Sequence, residues 1–413
     1  MAIIRPFQAL RPPVHLAPRV AALPYDVMDV EEARAMAGPN TDSFLHVSRP
    51  EIDLPAAVDP HADEVHTQGT RNLADFVSRR VLLQDPVPCY YVYRQRMGAI
   101  VQTGLVACAA VDDYVSGVIK KHEQTRADKE EDRVRHIAAL DANDEPVFYL
   151  FRNNPAVEET LAGAVNEPPE YHFTTNDGVS HSLWVVADPA LISHLTGLFA
   201  EIPTLYVADG HHRSAAAARV RDQRRNANPG HTGDEEYNYF LTVIFPENQL
   251  HIMPYNRVVQ DLHGHTTETF LQSVGTQFEL SPADTAVVPT ARHSFGMYLA
   301  GRWYRLQANP DLADEENTVA RLDVSILQNH LLQPLLGIDN PRTNKRISFV
   351  GGIRGVEELQ RLVDSGQYAV AFSMYPTAIT ELMDLSDDDQ IMPPKSTWFE
   401  PKLRSGLFVH LLS

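Results

Sequence analysis

Two cysteines, Cys89 and Cys108, are all that the 413 residues contain, too few for a disulfide framework or for a structural zinc site with its four clustered ligands. Long apolar runs are missing as well. No stretch of eighteen apolar residues occurs, and the start, Met1-Ala-Ile-Ile-Arg-Pro, lacks the basic-then-apolar layout of a secretory signal. A reduced, cytoplasmic protein without a membrane span is expected. Positive charge is scarce: 35 Lys and Arg face 54 Asp and Glu, a formal −19. A field of that sign repels polyphosphate backbones, so nucleic acid is a disfavoured partner. Neither H-E-x-x-H nor G-x-S-x-G occurs, which removes support for the simplest zinc-protease and α/β-hydrolase readings. The glycine-rich Phe349-Val-Gly-Gly-Ile-Arg-Gly355 has neither dinucleotide-fingerprint nor P-loop spacing.

What is present supports two or three packed cores, since 413 residues, 44% hydrophobic, exceed what one core holds. Acidic runs such as Asp311 to Glu316 read as solvated loops, and prolines punctuate rigid connections such as Arg11-Pro-Pro and Met392-Pro-Pro. Periodicity predicts helices at Val30–Ala37, Asp63–Leu83, Glu123–Ala139, Pro189–Ala200, Thr267–Val274, Val319–Leu332 and Gly355–Asp364. Strands are expected at Cys89–Gln95 and Gly104–Asp112 around Gly98, at Val147–Arg152, in a hairpin turning at Asn176-Asp-Gly, and as a pair at Tyr239–Phe245 and His251–Asn256. The fold class is α+β, with mixed sheets. A boundary at Asp261 to His265 divides an N-terminal core region, 1–262, from a C-terminal α+β domain, 263–413.

One segment compresses an apolar strand, a polar turn and an alanine-rich helix: Leu205-Tyr-Val-Ala-Asp-Gly-His-His-Arg-Ser-Ala-Ala-Ala-Ala-Arg219. A helix starting directly after the turn points its N–H groups and positive dipole end at whatever lies over Gly210. In this reading Gly210 lets the backbone approach a phosphate, Arg213 and the helix N-terminus hold it, and Asp209 orients a histidine or a metal. The alternative is an ordinary Asp N-cap with solvated neighbours.

Three further constellations carry chemistry. In Lys120-Lys-His-Glu-Gln-Thr-Arg126, Glu123 at the start of a helix is a candidate general base flanked by His122 and Lys121, and Thr125 is a phosphate-binding candidate. Lys129 to Asp132 read as surface. Between Met392 and Gly406, Lys395, Ser396, Thr397 and Lys402 are donors for a phosphate or carboxylate, pinned among prolines. Near the start, Tyr25 and Asp26 are candidate substrate contacts. No residue set identifies a metal.

As an ordered set, Arg5-Pro-Phe, Pro24-Tyr-Asp-Val, Phe44-Leu-His-Val, Lys121-His-Glu-Gln-Thr, Ala208-Asp-Gly-His-His-Arg, Met253-Pro-Tyr-Asn-Arg and Met392-Pro-Pro-Lys-Ser-Thr-Trp-Phe-Glu-Pro-Lys resemble the DUF1015 family over nearly the whole chain. Locally, Thr204 to Arg221 resembles the phosphate-gripping motif of the ParB/sulfiredoxin superfamily, free serine kinase branch. That resemblance implies nucleotide phosphates on Asp209 to Arg213 and a glutamate base toward a serine hydroxyl, here Glu123. The expected function is a kinase of serine or a similar hydroxy amino acid, using ATP or ADP with Mg²⁺. A phosphatase on phosphoserine and a non-catalytic nucleotide-binding regulator are the alternatives. Sulfiredoxin chemistry would need a cysteine where His211 and His212 stand.

Overall fold

The computed structural model describes all 413 residues. They form two compact units, Met1–Leu250 with Pro401–Ser413, and His251–Glu400. This differs from a division at 262/263, and strand pairing explains why. Tyr255–Val259 pairs with Ile347–Gly351 and Val370–Ser373, so it belongs to the sheet of the second unit. At the other end Leu10 bridges Val409, Ala22 bridges Ser405, and His410–Leu411 pairs with Ala142–Asn143, which returns the terminal segment to the first unit.

The first unit is built on a nine-stranded mixed sheet. Its order is Ile119–Lys120, Leu205–Asp209, Val147–Phe151, Tyr239–Pro246, Ile100–Ala110, Tyr90–Met97, Ser180–Val186 and Tyr171–Thr174, with Ile4–Arg5 pairing off this path. Two neighbouring pairs are parallel: Ile119–Lys120 with Leu205–Asp209, and Val147–Phe151 with Tyr239–Pro246. Val147–Phe151 is buried along its whole length, as a strand covered on both faces must be. Gly104 sits where any Cβ would come within 2.7 Å of the Phe245 ring, so only glycine lets the two strands approach there.

The His211–Ala227 helix lies on this sheet through small side chains. Ala217 and Ala218 join the core of Tyr149, Phe240 and Ile244, while Ala216 and Val220 meet Val134 and Ile137 of the Ala127–Leu140 helix. Each buried Val or Ile contributes about 1.5–3 kcal/mol, so this seam fixes the helix start relative to the strands.

The second unit carries a six-stranded antiparallel sheet, in the order Phe278–Ala283, Arg302–Ala308, Ser294–Leu299, Val370–Ser373, Tyr255–Val259 and Ile347–Gly351. Leu359, Leu362 and Val363 of the Gly355–Asp364 helix pack against it.

Three local expectations are corrected. Tyr239–Pro246 does not pair with the strand after it: Pro246 closes it, Glu247–Gln249 turns as a 3₁₀ helix, and His251–Met253 pairs with Trp398–Glu400. The helix predicted over Val319–Leu332 is Asp323–Leu327 followed by a π turn at Gln328–Leu332, because Pro334 cannot donate to the carbonyl four residues before it. The helix predicted from Glu123 starts at Ala127, leaving Glu123 in a loop. No helix is long and apolar enough to cross a membrane.

Candidate functional site

Leu205–Asp209 ends in a register irregularity between Val207 and Asp209, and the chain reverses at Gly210 with φ +98° directly into the His211–Ala227 helix. A Cβ at this position would require the left-handed region and would lie 3.1 Å from Val147 and 3.2 Å from the Arg213 guanidinium. No side-chain hydrogen bond caps the helix, so its first turn presents backbone donors and the positive dipole end. This junction stands at the C-terminal end of a parallel strand pair, where α/β sheets place their ligands.

The loop Lys121–Arg126 leaves the neighbouring parallel strand at that same end. It is tied to the helix start at two points. The His122 and His211 rings meet edge-on, with centroids 4.4 Å apart, and the Arg126 N–H donates to His212 Nε2 at 3.1 Å. Two constellations distant in sequence therefore share one place. Burial pushes His122 down to about 4, against a backbone bond with Val207 and the charge of Asp209. Burial, then the neighbouring His122, push His211 well below the usual imidazole range. Both rings are neutral at pH 7 and offer hydrogen bonds rather than charge. His211 Nε2 is buried with no hydrogen-bond partner. Glu123 is half-buried in the loop, the Thr125 hydroxyl donates to Glu130 at 2.7 Å, and Lys121 Nζ lies 4.2 Å from the centre of the Tyr114 ring.

Asp209 is gripped by two cations. Lys402 Nζ donates to its Oδ2 at 2.8 Å, and an Arg213 nitrogen stands 3.7 Å from its Oδ1. Burial alone would raise this carboxyl; Lys402 and then Arg213 outweigh it and hold the group well below the usual carboxylate range. Asp209 is thus a fixed anion, unable to accept a proton near neutral pH. Arg213 is buried beneath the turn, donates to the Pro146 carbonyl, and approaches Asp26 at 3.7 Å. Its guanidinium fastens the Asp26 turn and the Asp209 turn to the start of Val147–Phe151. Tyr25 is buried, with the Arg133 guanidinium 4.1 Å above its ring.

The remaining predicted donors separate. Lys402 belongs to the first unit, whereas Lys395, Ser396 and Thr397 belong to the second. There the Lys395 carbonyl accepts from Arg257 at 3.0 Å, and its ammonium lies 5.5 Å from the Tyr255 ring centre. Ser396 Oγ donates to Pro393 at 2.6 Å, and the Ser396 carbonyl accepts from Thr377.

Several residues escaped the sequence reading. Asp132, expected on the surface, is buried with Arg133, which donates to it at 2.7 Å while His61 approaches at 2.8 Å. A run of alternating charges hides such pairs, because composition does not say which charge turns inward. Glu145 was missed too, although an acidic pair, Asp144-Glu145, directly before an apolar strand is a recognisable signal. Burial, then Asp144, push Glu145 up to about 7, with Arg213 opposing.

Distant likenesses occur among solved structures. A mutant of a free serine kinase in complex with ADP is 12% identical, covering 74% of this chain and 92% of its own, with a TM-score of 0.34. SbnI with a C-terminal truncation from Staphylococcus aureus is 13% identical over 74% of this chain and 87% of its own, TM-score 0.38. A conserved hypothetical protein from Pyrococcus furiosus is 13% identical over 75% and 95%, TM-score 0.35. No curated protein matches the sequence. The model of the family described as protein of unknown function DUF1015 matches residues 4–325, most of the chain including both constellations of the site, and the chain belongs to that family.

Proposed function

We propose that the protein is a small-molecule phosphotransferase, a nucleotide-dependent kinase of free serine or a similar hydroxy amino acid. The observation that carries this reading is the junction at Gly210, an uncapped helix N-terminus at the end of a parallel strand pair, with neutral His122 and His211 beside it and Lys402 against Asp209. Helix N–H groups and neutral imidazole donors suit the phosphates of ATP or ADP. Phosphoryl transfer asks for positioning and charge stabilisation more than covalent chemistry, which fits a site made of fixed donors.

Asp209, held as an anion by its two cations, serves to keep Lys402 in place rather than to take a proton. Glu123 is left as the base toward the acceptor hydroxyl, on a loop anchored to the helix start by Arg126 and His122. No group of three or more His, Cys, Asp or Glu side chains is placed to hold a metal ion. In the proposed reaction Mg²⁺ would bridge the nucleotide phosphates and neutralise their charge.

Phosphorus NMR of the protein with serine, Mg²⁺ and ATP or ADP tests the reading, with phosphoserine and the shortened nucleotide as expected products. Absence of phosphoserine with either nucleotide would overturn it. Asp209, ion-paired to Lys402 and unable to take a proton, favours one second reading, nucleotide binding without turnover. Calorimetry that detects ADP binding in a protein giving no product over hours would select it.

A further inference from the structure

We infer that Glu145 is a positioning residue of the phosphate site, holding the Tyr25–Asp26 turn and the C-terminal segment that carries Lys402 in register around Arg213. The inference rests on the phosphate reading above. Glu145 is 4% exposed, and one oxygen, Oε1, accepts both the Tyr25 N–H at 3.0 Å and the Ser405 hydroxyl at 2.8 Å. These donors come from segments 120 residues before it and 260 after it.

Each of those segments delivers a charge to the site. Tyr25 precedes Asp26, which faces Arg213, and the turn is further held by Arg49 donating to the Tyr25 carbonyl at 2.9 Å. Ser405 follows Lys402, which grips Asp209, and its backbone exchanges hydrogen bonds with Ala22 at 2.9 and 3.1 Å. One carboxylate thus ties together the two segments that bring Asp26 and Lys402 to the turn.

Charged groups face Glu145 from every side. Asp26 comes from the turn, Arg133 from the Ala127–Leu140 helix, Arg213 from the His211–Ala227 helix and Asp144 from its own segment. Asp144 is in turn paired with His136 at 3.0 Å. Arg133, Asp144, Glu145 and Arg213 also line a cavity of about 10 Å³, on the order of one water molecule. Burial and then Asp144 raise the Glu145 carboxyl to about 7: protonated, it leaves the positive field of Arg213 and Arg133 less opposed, and ionised, it adds a negative charge beside Arg213. The contribution of Glu145 to anion affinity should therefore fall as pH rises through about 7.

The test compares the full-length protein with Glu145→Gln and Glu145→Ala. Glutamine keeps an oxygen that accepts both bonds but cannot ionise. Hydrogen exchange is followed across residues 22–28 and 402–409, and ADP affinity is measured by calorimetry between pH 6 and 8. Expected is exchange faster by about tenfold in both segments of Glu145→Ala, near-native exchange in Glu145→Gln, and in Glu145→Gln a pH profile of ADP affinity that differs from the native one and follows only the titration of the ligand phosphate. Exchange unchanged in Glu145→Ala, or the same pH profile of ADP affinity in the native protein and Glu145→Gln, would overturn the inference. If Glu145→Ala does not fold, Ser405→Ala decides by the same exchange measurement across 402–409. If the unaltered protein binds no ADP, the phosphate reading falls, while the exchange comparison still decides whether Glu145 holds the two segments.

Discussion

Lys402 Nζ donates to Asp209 Oδ2 across 2.8 Å, joining residues 193 positions apart. The terminal segment thereby supplies a cation to a turn whose other charges come from the middle of the chain. Breaking a fully buried pair costs about 3–5 kcal/mol; the Asp209 side chain keeps 25% of its exposure, so Lys402→Met should cost about 1–3 kcal/mol. Asp209→Asn in the same protein should recover part of that loss. Denaturation of the two single variants and the double variant measures the coupling, and simple additivity would show that the pair contributes nothing beyond its separate members.

Gly210→Ala tests the turn itself. The substitution forces a side chain into φ +98° and against Val147 at 3.1 Å, a conformation that costs about 1–3 kcal/mol. A lowered melting temperature with unchanged helix content by circular dichroism is expected, together with at least tenfold weaker ADP binding. Native ADP affinity in this variant would mean that no ligand approaches the backbone at this position.

Much of this site was legible because its signals are local. The helices at Val30–Ala37, Pro189–Ala200 and Thr267–Val274 run over the residues their patterns predict, each opened by a short-range cap from Asp29, Asp188 or Thr266. The strand, glycine and alanine-rich helix around Asp209 to Arg213 also sit within one continuous segment. What escaped was long-range. Nothing in the neighbourhood of Lys402 distinguishes it from Lys395, yet the two fall in different units. Arg133 and Asp132 look like solvated charges until the fold brings Asp132 against His61 and His66 and Arg133 over the Tyr25 ring. The His122–His211 contact depends on two parallel strands lying side by side, which no periodicity within either segment encodes.

His212 should matter as an anchor. Because the Arg126 N–H donates to its Nε2, that nitrogen bears the lone pair and, in the neutral ring, Nδ1 bears the proton. His212→Ala removes the acceptor and should free the Lys121–Arg126 loop by about 0.5–1.5 kcal/mol, the net worth of an ordinary hydrogen bond. Exchange at the Arg126 amide should rise by roughly threefold to tenfold, with the helix interior unaffected. An unchanged Arg126 amide would show that the loop is held by other contacts.

His181 gives the first unit a defined acid sensitivity. Its Nδ1 lies 2.7 Å from the Tyr93 hydroxyl, and its Nε2 accepts from Arg404 Nε at 3.3 Å, so the buried ring is neutral. Burial, then the Arg404 charge, push it down to about 3, against a weaker pull from Asp177. An unfolded histidine binds its proton near pH 6.5, whereas this one stays neutral well below that. Its contribution to stability is therefore complete above about pH 6.5 and is lost as pH falls toward about 3, with a slope of about 1.4 kcal/mol per pH unit. Buried His122 and His211 act with the same sign, while the carboxylates held low by cations begin to weaken only below about pH 4. His181→Gln, which keeps an acceptor for Arg404 and a donor for Tyr93, should lose stability less steeply between pH 6.5 and 4.5. Chemical denaturation at pH 7, 5.5 and 4.5 checks this, and parallel losses in the two proteins would mean that His181 is not the group resisting its proton.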